Sequence, residues 1–169
     1  VADSVKITAL TGPRLATIIA RNGVDALHIG AALGLEAPSR PGRAANDRLA
    51  LVATAPSAWL AIADADTGEH WLEDLTQSLS DLAAVFDQSG AYCVFRLEGP
   101  AARQTLQRGI AIDLDFAVFG PGDALVSSLA NLDVIVWQAG GEESFDVAVF
   151  RSYADAFLAW AERVMATFG

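Results

Sequence analysis

The chain has 169 residues, of which 53% are hydrophobic and 19% charged, with a formal net charge of −10. That apolar content on a chain this long builds a core without staples and excludes disorder. The acidic balance has the wrong sign for phosphate backbones and anionic lipid, and a single cysteine excludes an internal disulfide or a thiolate metal cluster. No apolar run approaches the roughly 18 residues that span a bilayer, and the opening residues lack the basic–apolar–small order of a signal peptide. The expectation is one acidic, cytoplasmic domain over residues 1–169, without nucleic-acid or membrane partners.

The β-branched run 15–21 predicts a strand, and 24–33 predicts a helix that Gly34 stops. Residues 37–47 carry two prolines, a glycine and three charges, and read as a loop. Residues 49–53 and 59–63 read as a hairpin turning at Pro56. Thr67 is placed to cap a helix whose Trp71, Leu72, Leu75 and Leu79 share one face.

The pattern then restarts. In 92–97, Cys93, Phe95 and Leu97 alternate with the outward Arg96. Residues 99–109 place proline near a helix start and glycine just past its end. Residues 124–128, 134–137 and 145–150 read as strands, with Gly140 and Gly141 turning before the last. Ser152 is placed to cap a final helix whose Tyr153, Phe157, Trp160, Val164 and Phe168 form one apolar stripe.

Each half thus reads β-α-loop-β-β-α, the second with an additional strand, and the halves divide at about 1–88 and 89–169. The fold class is α+β: two ferredoxin-like halves with antiparallel sheets and helices packed on one face.

Chemical motifs are scarce. Neither His28 nor His70 has a histidine or cysteine one helical turn away, so no metal-binding face forms; His28 reads as packed and His70 as solvated. Cys93 reads as a buried small hydrophobe rather than a nucleophile. Glycine-rich phosphate loops and a Gly-x-Ser-x-Gly elbow are absent, and Gly120-Pro-Gly122 reads as a turn. The pairs Asp64/Asp66 and Asp113/Asp115 read as solvated turns. The four tryptophans, Trp59, Trp71, Trp137 and Trp160, read as core. No catalytic or metal-binding residue emerges. The charge is uneven: residues 110–169 carry nine acids against two bases, a surface suited to a basic partner.

One resemblance gives these patterns a context. Leu97-Glu-Gly-Pro-Ala-Ala-Arg103, Gly109-Ile-Ala-Ile-Asp-Leu114, Phe119-Gly-Pro-Gly122, Arg151-Ser-Tyr-Ala-Asp155 and Trp160 stand in this order. This text resembles the gamma subunit of heterotetrameric sarcosine oxidase, well over residues 92–165 and weakly at 49–63. The resemblance implies the folate-binding aminomethyltransferase fold. It implies an accessory, non-catalytic subunit of an oxidase that demethylates sarcosine or a related N-methyl amino acid. The one-carbon unit would pass to tetrahydrofolate, with FAD, FMN, NAD and folate held by larger flavin- and dinucleotide-binding subunits and zinc by the smallest. It supplies no catalytic residue to carry over. The competing expectation is a free-standing folate-binding protein or aminomethyltransferase-like enzyme, in which Asp113 with Tyr92 or Phe116 would line the folate pocket.

Overall fold

The computed structural model describes residues 4–115 and 117–168. Residues 11–90 form one compact unit; residues up to Leu10, together with those from Ala91 onward, form the other. The first strand, β1 (Lys6–Ala9), therefore belongs with the end of the chain.

The 11–90 unit runs β2 (Arg14–Ala20), α1 (Ala26–Leu33), β3 (Arg43–Ala45), β4 (Ala50–Ala55), β5 (Ala58–Ala63), α2 (Trp71–Ser78) and β6 (Ala83–Asp87). Its antiparallel sheet has the order β3-β4-β5-β2-β6. Ala16, Ile18, Leu51, Trp59 and Ala61 point from alternate positions to one face, where Ile29 of α1 and Trp71, Leu75 and Leu79 of the α2 segment cover them. The hairpin turns at Pro56 and Ser57, with Ser57 left-handed at φ 58°.

The other unit runs β7 (Tyr92–Glu98), α3 (Ala102–Gln107), β8 (Ala124–Leu129), β9 (Leu132–Gln138), β10 (Ser144–Phe150), a 3-10 turn (Arg151–Tyr153) and α4 (Ala154–Met165). Its order is β1-β7-β10-β9-β8, again antiparallel. Phe95, Leu97, Val136, Phe145 and Val147 meet Leu106 of α3 and Phe157 of α4 in its core.

Without β3 and β8, both sheets have one topology: the second, third, first and fourth strands of a βαββαβ unit lie side by side. In the later unit no strand follows α4 among the described residues, and β1 takes the fourth place. Gly99 permits that junction. Its φ is +123°, and a Cβ there would strike the carbonyl oxygen of Ser4, just before β1.

Several sequence expectations change. The 37–47 loop contains β3, so each unit carries an extra edge strand, not the second alone. The strand β6 had no sequence signal beyond Val85 and Phe86. Thr67 does not cap α2: it closes a turn on the Asp64 carbonyl, and the cap position is His70, with no side-chain bond. Ser152 lies inside the 3-10 turn, so Tyr153 occupies the cap position of α4, also without a side-chain bond. Of the final stripe, Phe157 is buried, Trp160 half-buried and Tyr153 exposed.

Candidate functional site

The 11–90 unit contains an open cleft of about 520 Å³ between the end of α1, the turn before β4 and the start of α2. Its floor is apolar: Leu33, Leu49, Trp71 and Leu75. One side chain holds two of its walls together. Asn46 Nδ2 donates to the carbonyls of Leu33 (3.0 Å) and Gly34 (3.3 Å), while Asn46 Oδ1 accepts from the amides of Arg48 (2.9 Å) and Leu49 (3.1 Å). Gly34, left-handed at φ 69°, ends α1 by donating its amide to the Gly30 carbonyl.

The rim is acidic. Asp47, Glu69 and Asp74 line it with Arg48, and none of the three carboxylates joins an ion pair among the described residues. His70 is held by Glu73, Nδ1 to Oε2 at 2.8 Å. Such a site attracts a cation with an apolar body. It does not fit the phosphates of a flavin or dinucleotide, which would face three carboxylates for one guanidinium. Sequence reading missed the cleft because its walls come from three separated stretches, each unremarkable alone.

The sequence-nominated residues lie elsewhere. Asp113 is exposed, and its Oδ1 accepts from the amide of Asp115 at 2.9 Å; Asp115 Oδ1 accepts in turn from Ala117 at 2.9 Å. Tyr92, on β7, stacks on Phe150 with centroids 4.8 Å apart. Burial, and then the charge of Asp133, pushes its hydroxyl above the usual tyrosine range. Asp113 and Tyr92 share no hydrogen bond, and Phe116 lies outside the described residues.

Cys93 is half-buried against the core rather than fully enclosed. His28 is not packed: its ring turns back to the N-cap residue Asp25 at the start of α1, and its side chain is more than half exposed. The Asp25 carboxyl accepts from the His28 amide and ring, which holds it below the usual aspartate range. Three of the four tryptophans are buried, and Trp160 is half-buried on Gly109.

Arg103 is the residue whose role sequence reading did not assign. It reaches from α3 to donate to the carbonyls of Leu114, Phe119 (3.0 Å) and Glu142 (2.8 Å), and its guanidinium lies 4.8 Å from the Phe145 ring centre. Gln107, one turn along, donates to Ile112 (2.9 Å) and accepts from Leu114 (2.7 Å). Together they fasten the loop between α3 and β8. Five of the nine carboxylates in residues 110–169 are engaged. Asp113, Asp115 and Asp123 close turns, Asp146 accepts a two-pronged bond from Arg96, and Glu143 approaches Arg103. Among the described residues no group of histidines, cysteines and acids is arranged to hold a metal, and no helix is long and apolar enough to cross a membrane.

Comparison with known proteins places this geometry. The model of the sarcosine oxidase gamma subunit family matches residues 20–167, so the likeness extends well beyond the second half. The sarcosine oxidase gamma subunit of Corynebacterium sp. strain U-96 is 30% identical over 143 residues, 83% of this chain and 68% of that protein. The gamma subunit from an Arthrobacter species is also 30% identical, over 83% of this chain and 69% of that protein. Among solved structures, a chain of the heterotetrameric sarcosine oxidase from Corynebacterium sp. U-96, in complex with pyrrole 2-carboxylate, superposes with a TM-score of 0.86 at 27% identity. The match covers 97% of this chain and 85% of that one. The glycine cleavage system aminomethyltransferase T of Bartonella henselae shares the fold at TM-score 0.69 and 16% identity, over 95% of this chain and 46% of that one.

Proposed function

The chain belongs to the sarcosine oxidase gamma subunit family, and on that premise we propose that it is the accessory, non-catalytic subunit of a heterotetrameric oxidase. The oxidase demethylates sarcosine or a related N-methyl amino acid and passes the one-carbon unit to tetrahydrofolate. FAD, FMN, NAD and folate are assigned to the larger subunits. The single observation that carries this reading is the family match, which runs through both units. The cleft supports it in the same direction: its carboxylates suit a cation and repel the phosphates of FAD, FMN and NAD. An acidic chain of net charge −10 suits docking on basic surfaces of larger subunits.

The test is to purify the chain alone and co-expressed with the larger subunits of its complex. Alone, it should be colourless and show no sarcosine-dependent hydrogen peroxide production. Co-expressed, it should copurify in a flavin-containing complex. Peroxide production by the lone chain, or a complex that assembles and works equally well without it, would overturn the assignment. Micromolar binding of tetrahydrofolate by the lone chain, lost in Asp113→Ala or Tyr92→Phe, would favour the folate-binding alternative, with Phe116 the next residue to test.

A further inference from the structure

We propose that the cleft of the 11–90 unit is the seat of a basic segment of a larger subunit, one that lays an apolar side chain on Trp71 and Leu75 and directs lysine or arginine to Asp47, Glu69 and Asp74. This rests on the subunit reading above and adds the surface and the chemistry of the contact.

Three independent features point to it. The cleft joins an apolar floor to three exposed carboxylates that have no ion pair among the described residues. Two of its three walls are fixed to each other in advance by the four bonds of Asn46, so less ordering is left for binding to supply. The geometry also suits long cationic side chains, which cover apolar surface with their stems while their heads reach charge at the rim. An anionic ligand or lipid surface would meet three carboxylates against Arg48 alone, and a second copy of this chain would bring the same net negative charge. A basic protein segment is the occupant these facts favour.

The test uses the complex with the larger subunits and two charge reversals of equal size, each checked for an unchanged fold by circular dichroism. Glu69→Lys with Asp74→Lys should weaken assembly at least about tenfold and flatten its salt dependence. Asp155→Lys with Glu162→Lys, on the exposed side of α4 in the acidic half, should change it by less than about threefold. Amide exchange in residues 45–49 and 67–78 should slow on assembly. The inference is overturned if the cleft reversal assembles like the unmodified chain, if the α4 reversal has the larger effect, or if those amides gain no protection. Failure of the unmodified chain to form any complex would instead sink the subunit reading, and this inference with it.

Discussion

The two units share a strand order but are secured differently, and the difference lies in what fastens the segment after the first helix. In the 11–90 unit, a neutral amide does it: Asn46 ties the end of α1 to the turn before β4, and the Trp59 indole donates to the Pro38 carbonyl at 2.7 Å. In the other unit a guanidinium does it, reaching three carbonyls from α3 and leaving only 12% of its side chain exposed. The neutral pin sits beside an open cleft, and the charged pin sits in a closed corner. One topology therefore yields a receptive surface in one unit and a sealed loop in the other. The arginine of the Gly-Pro-Ala-Ala-Arg text that carries the family resemblance supplies this fastening.

The largest expected effect separates the two pins. Arg103→Ala leaves three carbonyls without their donor and should cost about 3 kcal/mol in urea unfolding. Arg103→Lys should recover little of this, because an ammonium lacks the planar fork. Asn46→Ala should cost about 1–2 kcal/mol. Equal losses would mean that charge adds nothing to the fastening.

The closing strands offer the next contrast. Gly99→Ala forces a side chain into a left-handed backbone and against Ser4, and should cost about 2–3 kcal/mol. Amide exchange should then quicken in β1 and stay unchanged in β6, which has the same place in the other sheet. Equal quickening in both strands would defeat the assignment of β1 to the later unit.

A smaller difference concerns packing on glycine. At Gly109 a Cβ would lie 2.5 Å from Trp160 Cζ2, a side-chain atom. At Gly30 it would meet the backbone of Leu35 and Ala37, which has less room to yield. Gly30→Ala should cost about 2 kcal/mol and Gly109→Ala about 1 kcal/mol, read from thermal melts. The reverse order would show that the Trp160 ring is the more rigid neighbour.

The smallest effects separate the units by pH. Asp25, in the 11–90 unit, titrates below its ordinary value because the His28 amide and ring favour the carboxylate. Its contribution is complete above the ordinary aspartate pKa and is lost as pH falls through the lowered one. Tyr92 titrates above its ordinary value because of burial and Asp133. Its contribution is complete below the ordinary tyrosine pKa and is lost as pH rises through the raised one. Asp25→Asn should flatten the acid limb of melting temperature against pH, and Tyr92→Phe the alkaline limb. Unchanged limbs would remove the contrast.

Local periodicity made much of this protein legible. The alternation at Cys93, Phe95 and Leu97 and the place of Phe157 in the final stripe report which side of an element faces a core, and Pro56 marks the hairpin turn. The family text was legible for the same reason: it is a linear string. Tertiary structure alone decided the rest. Pairing of β1 with β7 uses backbone groups that nearly every residue owns, so Lys6–Ala9 carries no mark of its partner. The capping expectations at Thr67 and Ser152 failed because a hydroxyl caps only where the backbone places it beside a free amide. The partners of Arg103 and the walls of the acidic cleft come from stretches far apart in sequence. Chain folding creates their proximity, and no spacing along the chain records it.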